Sequence, residues 1–432
     1  MTQELHALHQ GRLLGIIQWD QRRNRYSFSY DEIWRRGGAD VFPLSLSMPF
    51  AATSHQHSTI EAFLWGLLPD SDGVLKRWGE RFQVSPKNAF KLLMHVGEEC
   101  AGAVQLIPQD KVSEWLAAPL SGKIKWLNEA EIVDRVQLLL KDHSATRINT
   151  DQGHFSLAGA QPKTAFYHDP KKNRWGVPTG HIPTTHIFKP STGDFDGYAE
   201  NEHFCMTLAR KLGLSTASSV VRHFGDVPVI VVERYDRLRT GGRVLRIHQE
   251  DMCQALSVMP HLKYQNQGGP SAPQIMQLIR EHSTAREVDA HRFLDALILN
   301  WLIAGTDAHA KNYSVLIAPG GQVRLAPLYD IASSLPYPKQ VYDIHATLAM
   351  RVGNQYKVLQ IGTREWKKAA VELRIHEDRV FSRIREMAGL IPDAAAEIAS
   401  ELTTQGLKHE IIGRLTQALQ QRSRECVTKF RL

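Results

Sequence analysis

A polar loop pinned between two apolar segments constrains this chain more than any other stretch. Leu297-Ile298-Leu299-Asn300-Trp301-Leu302-Ile303-Ala304 closes a long apolar helical run, and Tyr313-Ser314-Val315-Leu316-Ile317 reads as a short strand. Between them lies Gly305-Thr306-Asp307-Ala308-His309-Ala310-Lys311-Asn312. Buried elements at both ends hold such a loop in place, and an Asp followed five positions later by an Asn is the spacing of a phosphoryl-transfer loop. There the Asp takes the proton of an attacking hydroxyl and the Asn carbonyl holds a metal ion. Further on, Leu325-Ala326-Pro327-Leu328-Tyr329-Asp330-Ile331 sets a second acid after another apolar segment, where such a site keeps its other metal ligand, although without the usual Asp-Phe-Gly. Taken singly, Asp307 and Asp330 read as turn residues and Asn312 as a strand start. In this order, with a phosphate-loop candidate upstream, they favour catalysis.

Composition sets broad bounds. The 432 residues, 43% hydrophobic and 22% charged, suit a soluble globular chain of two or three domains. The longest apolar run, around Leu294 to Ala304, is interrupted by Asp295 and Asn300 and is too short to span a bilayer. Met1 to His6 shows neither basic leader nor apolar h-region, so no secretory signal and no membrane partner are expected. Cys100, Cys205, Cys253 and Cys426 stand apart, never as Cys-x-x-Cys, which suggests reduced, buried thiols in a cytoplasmic protein. None of the 20 His pairs with Cys at zinc-site spacing. The net charge of +7 is partly local: Lys408, Arg414, Arg422, Arg424, Lys429 and Arg431 face only Glu410 and Glu425. On a helix these form either a solvated face or a nucleic-acid patch.

In chain order, residues 12–19 and 25–30 form a hairpin across the polar turn 20–24, and residues 44–48 alternate as a half-buried strand. Helices follow at 60–68 and 73–82, and a third opens at Ser85-Pro86 with Pro in its first turn. Residues 101–107 close this section as a strand, and 108–126 lack periodicity and read as a connector. Asn128 caps a helix over 129–140. The stretch Ser156-Leu157-Ala158-Gly159-Ala160-Gln161-Pro162-Lys163-Thr164 is rich in small residues, which let backbone N–H groups approach phosphate oxygens. It matches neither the Walker form, where Pro162 would have to be Gly, nor Gly-x-Gly-x-x-Gly. An ordinary turn is an equally open reading of it.

Strand 184–190 ends at Lys189, and a helix with Glu202 in its first turn follows, the arrangement that holds nucleotide phosphates in kinases. The apolar strand 228–232 runs into Glu233-Arg234-Tyr235-Asp236, well placed as a hinge. After Asp251 the helical segments are 251–258, 272–282, 287–304, 363–371, 376–388, 392–402 and 408–427, with Gly268-Gly269-Pro270 as loop punctuation. The expected fold is α+β and two-lobed, protein-kinase-like: an N-terminal α+β subdomain (1–110), a β-rich N-lobe with phosphate loop and hinge (111–240) and an all-helical C-lobe (241–432).

The ordered set Ser156 to Thr164, His186 to Lys189, Val232 to Arg237, Gln249 to Gln254, Gly305 to Asn312 and Leu328 to Ile331 resembles the HipA family, the serine/threonine kinase toxins of bacterial toxin–antitoxin pairs. The resemblance implies phosphoryl transfer from ATP, with Mg2+, to a protein hydroxyl. Position by position, it makes Asp307 the catalytic base and Asn312 and Asp330 the metal ligands. It sets Lys189 on the nucleotide phosphates, Ala158, Gly159, Ala160, Gln161, Pro162 and Lys163 over them, and Glu233, Arg234 and Tyr235 at the adenine. His309, Ala310, Lys311 and Tyr329 join the nucleotide site. Ser156 matches the serine whose autophosphorylation disables the enzyme; some relatives carry a second serine two positions earlier, where this chain has His154. The implied partners are a helix-turn-helix antitoxin, operator DNA through it, and a protein substrate, an aminoacyl-tRNA synthetase by kinship. A non-catalytic co-repressor and a small-molecule kinase are the alternatives.

Overall fold

The computed structural model describes residues 2–118, 120–147, 155–193, 195–338 and 345–430. Strands β1 (Thr2–His9), β2 (Arg12–Asp20) and β3 (Arg25–Tyr30) form the expected hairpin plus one strand more at the N-terminus. Period-two alternation in β3 buries Tyr26 and Phe28. Short α1 (Glu32–Arg35) precedes α2 (His57–Gly66), α3 (Asp72–Phe82) and α4 (Ala89–Val96), and β4 (Gln105–Pro108) completes a sheet of order β3-β2-β1-β4.

Two local expectations fail here. The third helix opens at Ala89, not at Pro86, because the Asn88 side chain accepts the Lys91 N–H at 3.0 Å while Pro86 packs beneath Gly79. Residues 44–48 are not a strand, although Leu44 and Met48 are buried. They wrap a carboxylate from the far half of the chain: Ser45 Oγ donates to Glu250 Oε2 at 2.5 Å and the Leu46 N–H to Oε1 at 2.7 Å.

The stretch read as a connector holds α5 (Gln109–Ala117) and β5 (Ile124–Leu127). β5 is an edge strand too short to show a period; it pairs with the strand Arg174–Pro178, and the Arg174 guanidinium lies 3.6 Å from the Trp126 ring centre. α6 (Glu129–Lys141) starts at Asn128 with a reciprocal Asn128–Glu131 capping box. Strands β6 (Thr164–Asp169), β7 (Arg174–Pro178) and β8 (His186–Pro190), helix α7 (Tyr198–Lys211), and strands β9 (Ser219–Phe224) and β10 (Val227–Glu233) follow. The six-stranded sheet runs β5-β7-β6-β8-β10-β9.

β11 (Arg237–Thr240) and β12 (Arg243–Arg246) form a hairpin, and β13 (His248–Asp251) leads into α8 (Met252–Ala255), α9 (Ala272–His282) and α10 (Arg286–Leu302). Strands β14 (Ser314–Ala318) and β15 (Gln322–Leu325) join β13, and β16 (Thr347–Val352) pairs with β17 (Gln355–Lys357). The α+β, two-lobed class holds, but the C-terminal half is mainly rather than wholly helical. Boundaries drawn at 110 and 240 fall inside α5 and in the turn of the β11–β12 hairpin.

α11 (Thr363–Glu372), α12 (Glu377–Thr404) and α13 (Glu410–Lys429) close the chain. α12 is one helix where two were expected, with Pro392 inside it. Proline removes the N–H that would reach the Ala388 carbonyl; the buried Ser423 hydroxyl of α13 donates to that carbonyl instead. The basic residues of α13 are partly consumed by the fold: Arg422 is buried against Trp301, Arg414 pairs with Asp196 at 3.0 Å, and Lys429 donates to the Ile361 carbonyl. All four cysteines are buried and unbridged.

Candidate active site

α10 ends against a turn only glycine permits, since a Cβ on Gly305 would lie 2.3 Å from Asn300 Oδ1. The loop then folds on itself. The Asp307 carbonyl accepts the His309 N–H and the Asn312 side-chain amide, both at 2.8 Å. The five-residue spacing is what lets Asn312 reach back across its own loop. The Tyr329 hydroxyl donates to the Lys311 carbonyl at 2.7 Å, joining this loop to the Asp330 segment. Asp330 has φ +58°, a left-handed conformation uncommon outside glycine and typical of residues held for a purpose.

Across the cleft, Lys189 on β8 bridges Glu202 on α7 at 2.7 Å and Asp330 at 2.8 Å. Burial alone would push the Asp330 carboxyl up, but the adjacent Lys189 ammonium outweighs it and holds the group below the usual carboxylate range. Burial would likewise lower the Lys189 ammonium; Asp330 and Glu202 reverse that and raise it. Lys163, buried above the same space, donates to the Ala158 carbonyl at 2.8 Å, and burial lowers its ammonium to about 8. Gly159 has φ +104°, and a Cβ there would meet Lys163 Nζ at 2.7 Å. Gly159→Ala is therefore expected to displace Lys163 and raise the KM for nucleotide several-fold, and, because φ +104° strains any L side chain, to lower the melting temperature as well; steady-state kinetics beside a melting curve will check both.

These groups share one cleft of about 1220 Å³ including its mouth. It receives Asp307, Asn312, Asp330, Lys189 and Lys163, the small residues 158–160 with Gln161, His309, Lys311, Tyr329 and residues 233–235. Two expected members are elsewhere. Pro162 faces a separate hollow beside Pro69 and Trp78, and Ala310 is wholly buried beneath its loop. Two others line the cleft with their charges already engaged. The Arg234 guanidinium pairs with Asp236 at 2.8 Å and Glu99 at 3.1 Å, and the Arg234 backbone N–H donates to the Thr185 carbonyl. The Lys311 ammonium pairs with Asp70, which also takes Lys263 at 2.9 Å. Tyr235 stacks on Tyr329 with ring centres 5.6 Å apart. Ser156 is buried, its hydroxyl donating to the Leu67 carbonyl at 2.7 Å; His154 lies outside the described residues.

Asp70 and Tyr264, which touch this machinery, were not legible as site residues. Asp70 sits in Pro69-Asp70-Ser71-Asp72-Gly73, whose local signal is a helix stop, and Tyr264 lies in an irregular loop between α8 and α9.

A lysine–glutamate pair under a small-residue loop, facing an Asp/Asn loop across a cleft between a β-rich and a mainly helical half, defines a kinase. Residues 155–395 match the family model of the HipA-like C-terminal domain and residues 5–107 that of the HipA N-terminal domain. The chain belongs to the HipA family. It is 35% identical over 402 residues to the Sinorhizobium fredii protein Y4mE, covering 92% of each chain. It is 28% identical over 409 residues to the serine/threonine-protein kinase toxin HipA of Shewanella oneidensis, covering 90% of this chain and 88% of that one. Among solved structures, the Shewanella oneidensis HipA, HipB and operator DNA complex superposes with a TM-score of 0.83 at 24% identity, over 99% of this chain and 98% of that one.

Proposed function

We propose that this HipA-family kinase transfers the γ-phosphoryl group of ATP to a serine or threonine of a protein, as the toxin of a toxin–antitoxin pair. The observation that carries this is Lys189 held between Glu202 and Asp330, opposite the Asp307–Asn312 loop. Lys189 offers a fixed positive charge for nucleotide phosphates, and residues 158–161 line the same cleft, where their backbone would cover them. Asp307, exposed at the cleft, takes the proton of the attacking hydroxyl. Positioning and electrostatics of this kind supply most of the rate in phosphoryl transfer.

The donor set fits magnesium. Asp330 gives Lys189 one carboxylate oxygen and keeps the other, and Asn312 uses its amide N–H₂ on the Asp307 carbonyl, leaving its oxygen. Both are hard oxygens, as Mg2+ prefers. Among the described residues no group of three or more His, Cys, Asp or Glu gathers into a metal cage, which suits an ion that relies on one carboxylate plus substrate phosphates. When bound, the ion would neutralise phosphate charge. Asp330→Ala is expected to abolish transfer while leaving the fold intact; wild-type labelling from γ-labelled ATP would refute the assignment.

Ser156 is the proposed site of self-inactivation. Its N–H donates to the Glu99 carbonyl at 2.9 Å and its hydroxyl to the Leu67 carbonyl, so a phosphate there cannot stay in place and would carry residues 157–163 out of the cleft. The Shewanella oneidensis HipA structure contains HipB and operator DNA; by that analogy a helix-turn-helix antitoxin is the proposed partner here, with operator DNA bound through it. An aminoacyl-tRNA synthetase is the proposed substrate. No described helix is long and apolar enough to cross a membrane. Intact mass after incubation with ATP and magnesium tests the reading: one added phosphate on Ser156 supports it, and turnover of small metabolites without protein labelling would replace it.

A further inference from the structure

The backbone around Asp307 is fixed by its own loop, but its side chain is exposed and, without help, free to rotate. That help comes from a different loop. The Tyr264 hydroxyl donates to Asp307 Oδ1.

Tyr264 is itself closely held. The buried His309 ring meets its ring edge-on, with centres 5.0 Å apart at 85°. Its carbonyl accepts the N–H groups of Gln267 and Gly269, both at 3.0 Å, and Gly269 leaves no room for a Cβ, which would lie 2.0 Å from the Leu262 carbonyl oxygen. On one side, the Lys263 carbonyl accepts the Ala310 N–H from within the Asp307 loop, and the Lys263 ammonium pairs with Asp70. On the other, Gln265 Oε1 accepts the Arg351 N–H at 2.9 Å. The Gly268-Gly269-Pro270 punctuation thus shapes a turn whose product is one phenol aimed at one carboxylate.

We infer that Tyr264 is a positioning residue for phosphoryl transfer, holding one oxygen of Asp307 so that the other is presented to the incoming hydroxyl. The inference rests on Asp307 acting as the base. A neutral phenol donates a hydrogen bond at working pH, and a base fixed within reach of its proton is worth orders of magnitude over one that wanders. Tyr264 does so through Asp307 rather than by touching the substrate.

The test uses the full chain with ATP and magnesium, and compares Tyr264→Phe with Asp307→Asn. Transfer from γ-labelled ATP is read both as label on the chain and as inorganic phosphate released. Tyr264→Phe keeps the ring on His309 and removes only the hydroxyl. Expected is a drop in kcat of roughly 10–100-fold, with the KM for ATP within about twofold of wild type and an unchanged melting temperature. An unchanged kcat beside an inactive Asp307→Asn would overturn the positioning role alone. A raised kcat in Tyr264→Phe would also overturn it, marking the phenol as a plug in the place of the acceptor. Wild-type activity in Asp307→Asn would overturn the base assignment and the inference together.

Discussion

Replacing Asp307 by Ala is expected to slow phosphoryl transfer from ATP by roughly 10²–10⁴-fold, the range spanned by a positioned general base. Nucleotide binding should survive, because Lys189, Glu202 and Asp330 form their own paired cluster. The fold should survive as well. The Asp307 side chain is exposed, and its carbonyl, which accepts the His309 and Asn312 donors, remains in an alanine. Calorimetric titration with nucleotide beside a γ-phosphate transfer assay separates these effects. A variant that binds nucleotide yet transfers at the wild-type rate would remove Asp307 from the chemistry.

The largest effect on stability is expected at Glu99. Its carboxylate is buried among three guanidiniums, taking Arg234 at 3.1 Å, Arg237 at 3.0 Å and Arg246 through Nε at 3.1 Å. Asp236 is the other anion in the cluster, accepting the Gly102 N–H at 2.8 Å. The network ties the N-terminal segment to the stretch that follows β10. In Glu99→Gln, the buried Arg234 and Arg237 keep Asp236 as their one carboxylate, and the half-buried Arg246 loses its carboxylate partner. Breaking a buried ion pair from one side costs about 3–5 kcal/mol, which should appear as a clearly lower denaturation midpoint at pH 7.

The pH dependence of the same group has a definite sign. Burial would raise the Glu99 carboxyl, but Arg246, Arg237 and Arg234 outweigh it and hold it far below the usual range. A depressed folded value stabilises the native state fully above the unfolded glutamate pKa of about 4.3. That contribution shrinks as pH falls below this and approaches the folded value. The gap between wild type and Glu99→Gln should therefore narrow on acidification. A gap that stays constant from pH 7 to pH 3, measured by urea midpoints, would show that the carboxylate charge is not what stabilises the fold.

The readings that held came from local geometry. The capped start of α6, the hairpin of β2 and β3 and the bounds of α9 follow from capping and periodicity within a few residues. Two that failed, over residues 44–48 and at Pro392, were overridden by partners distant in the chain. Residues 44–48 alternate like a strand, but their N–H and hydroxyl groups go to Glu250. The break expected at Pro392 is mended by Ser423 of the next helix.

The same division runs through the site. By its own order of residues, the chain determined the loop from Asp307 to Asn312 and the strand lysine followed by a helix glutamate, because each needs only a fixed spacing on one or two adjacent elements. Tertiary structure alone decided where the remaining charges went. Lys311 meets Asp70 across 241 positions, and Arg234 meets Glu99 across 135. Buried charges must find opposite partners wherever the fold brings them, since an unpaired one is too costly to keep, and a pairing made over such separations leaves no period or motif in the sequence.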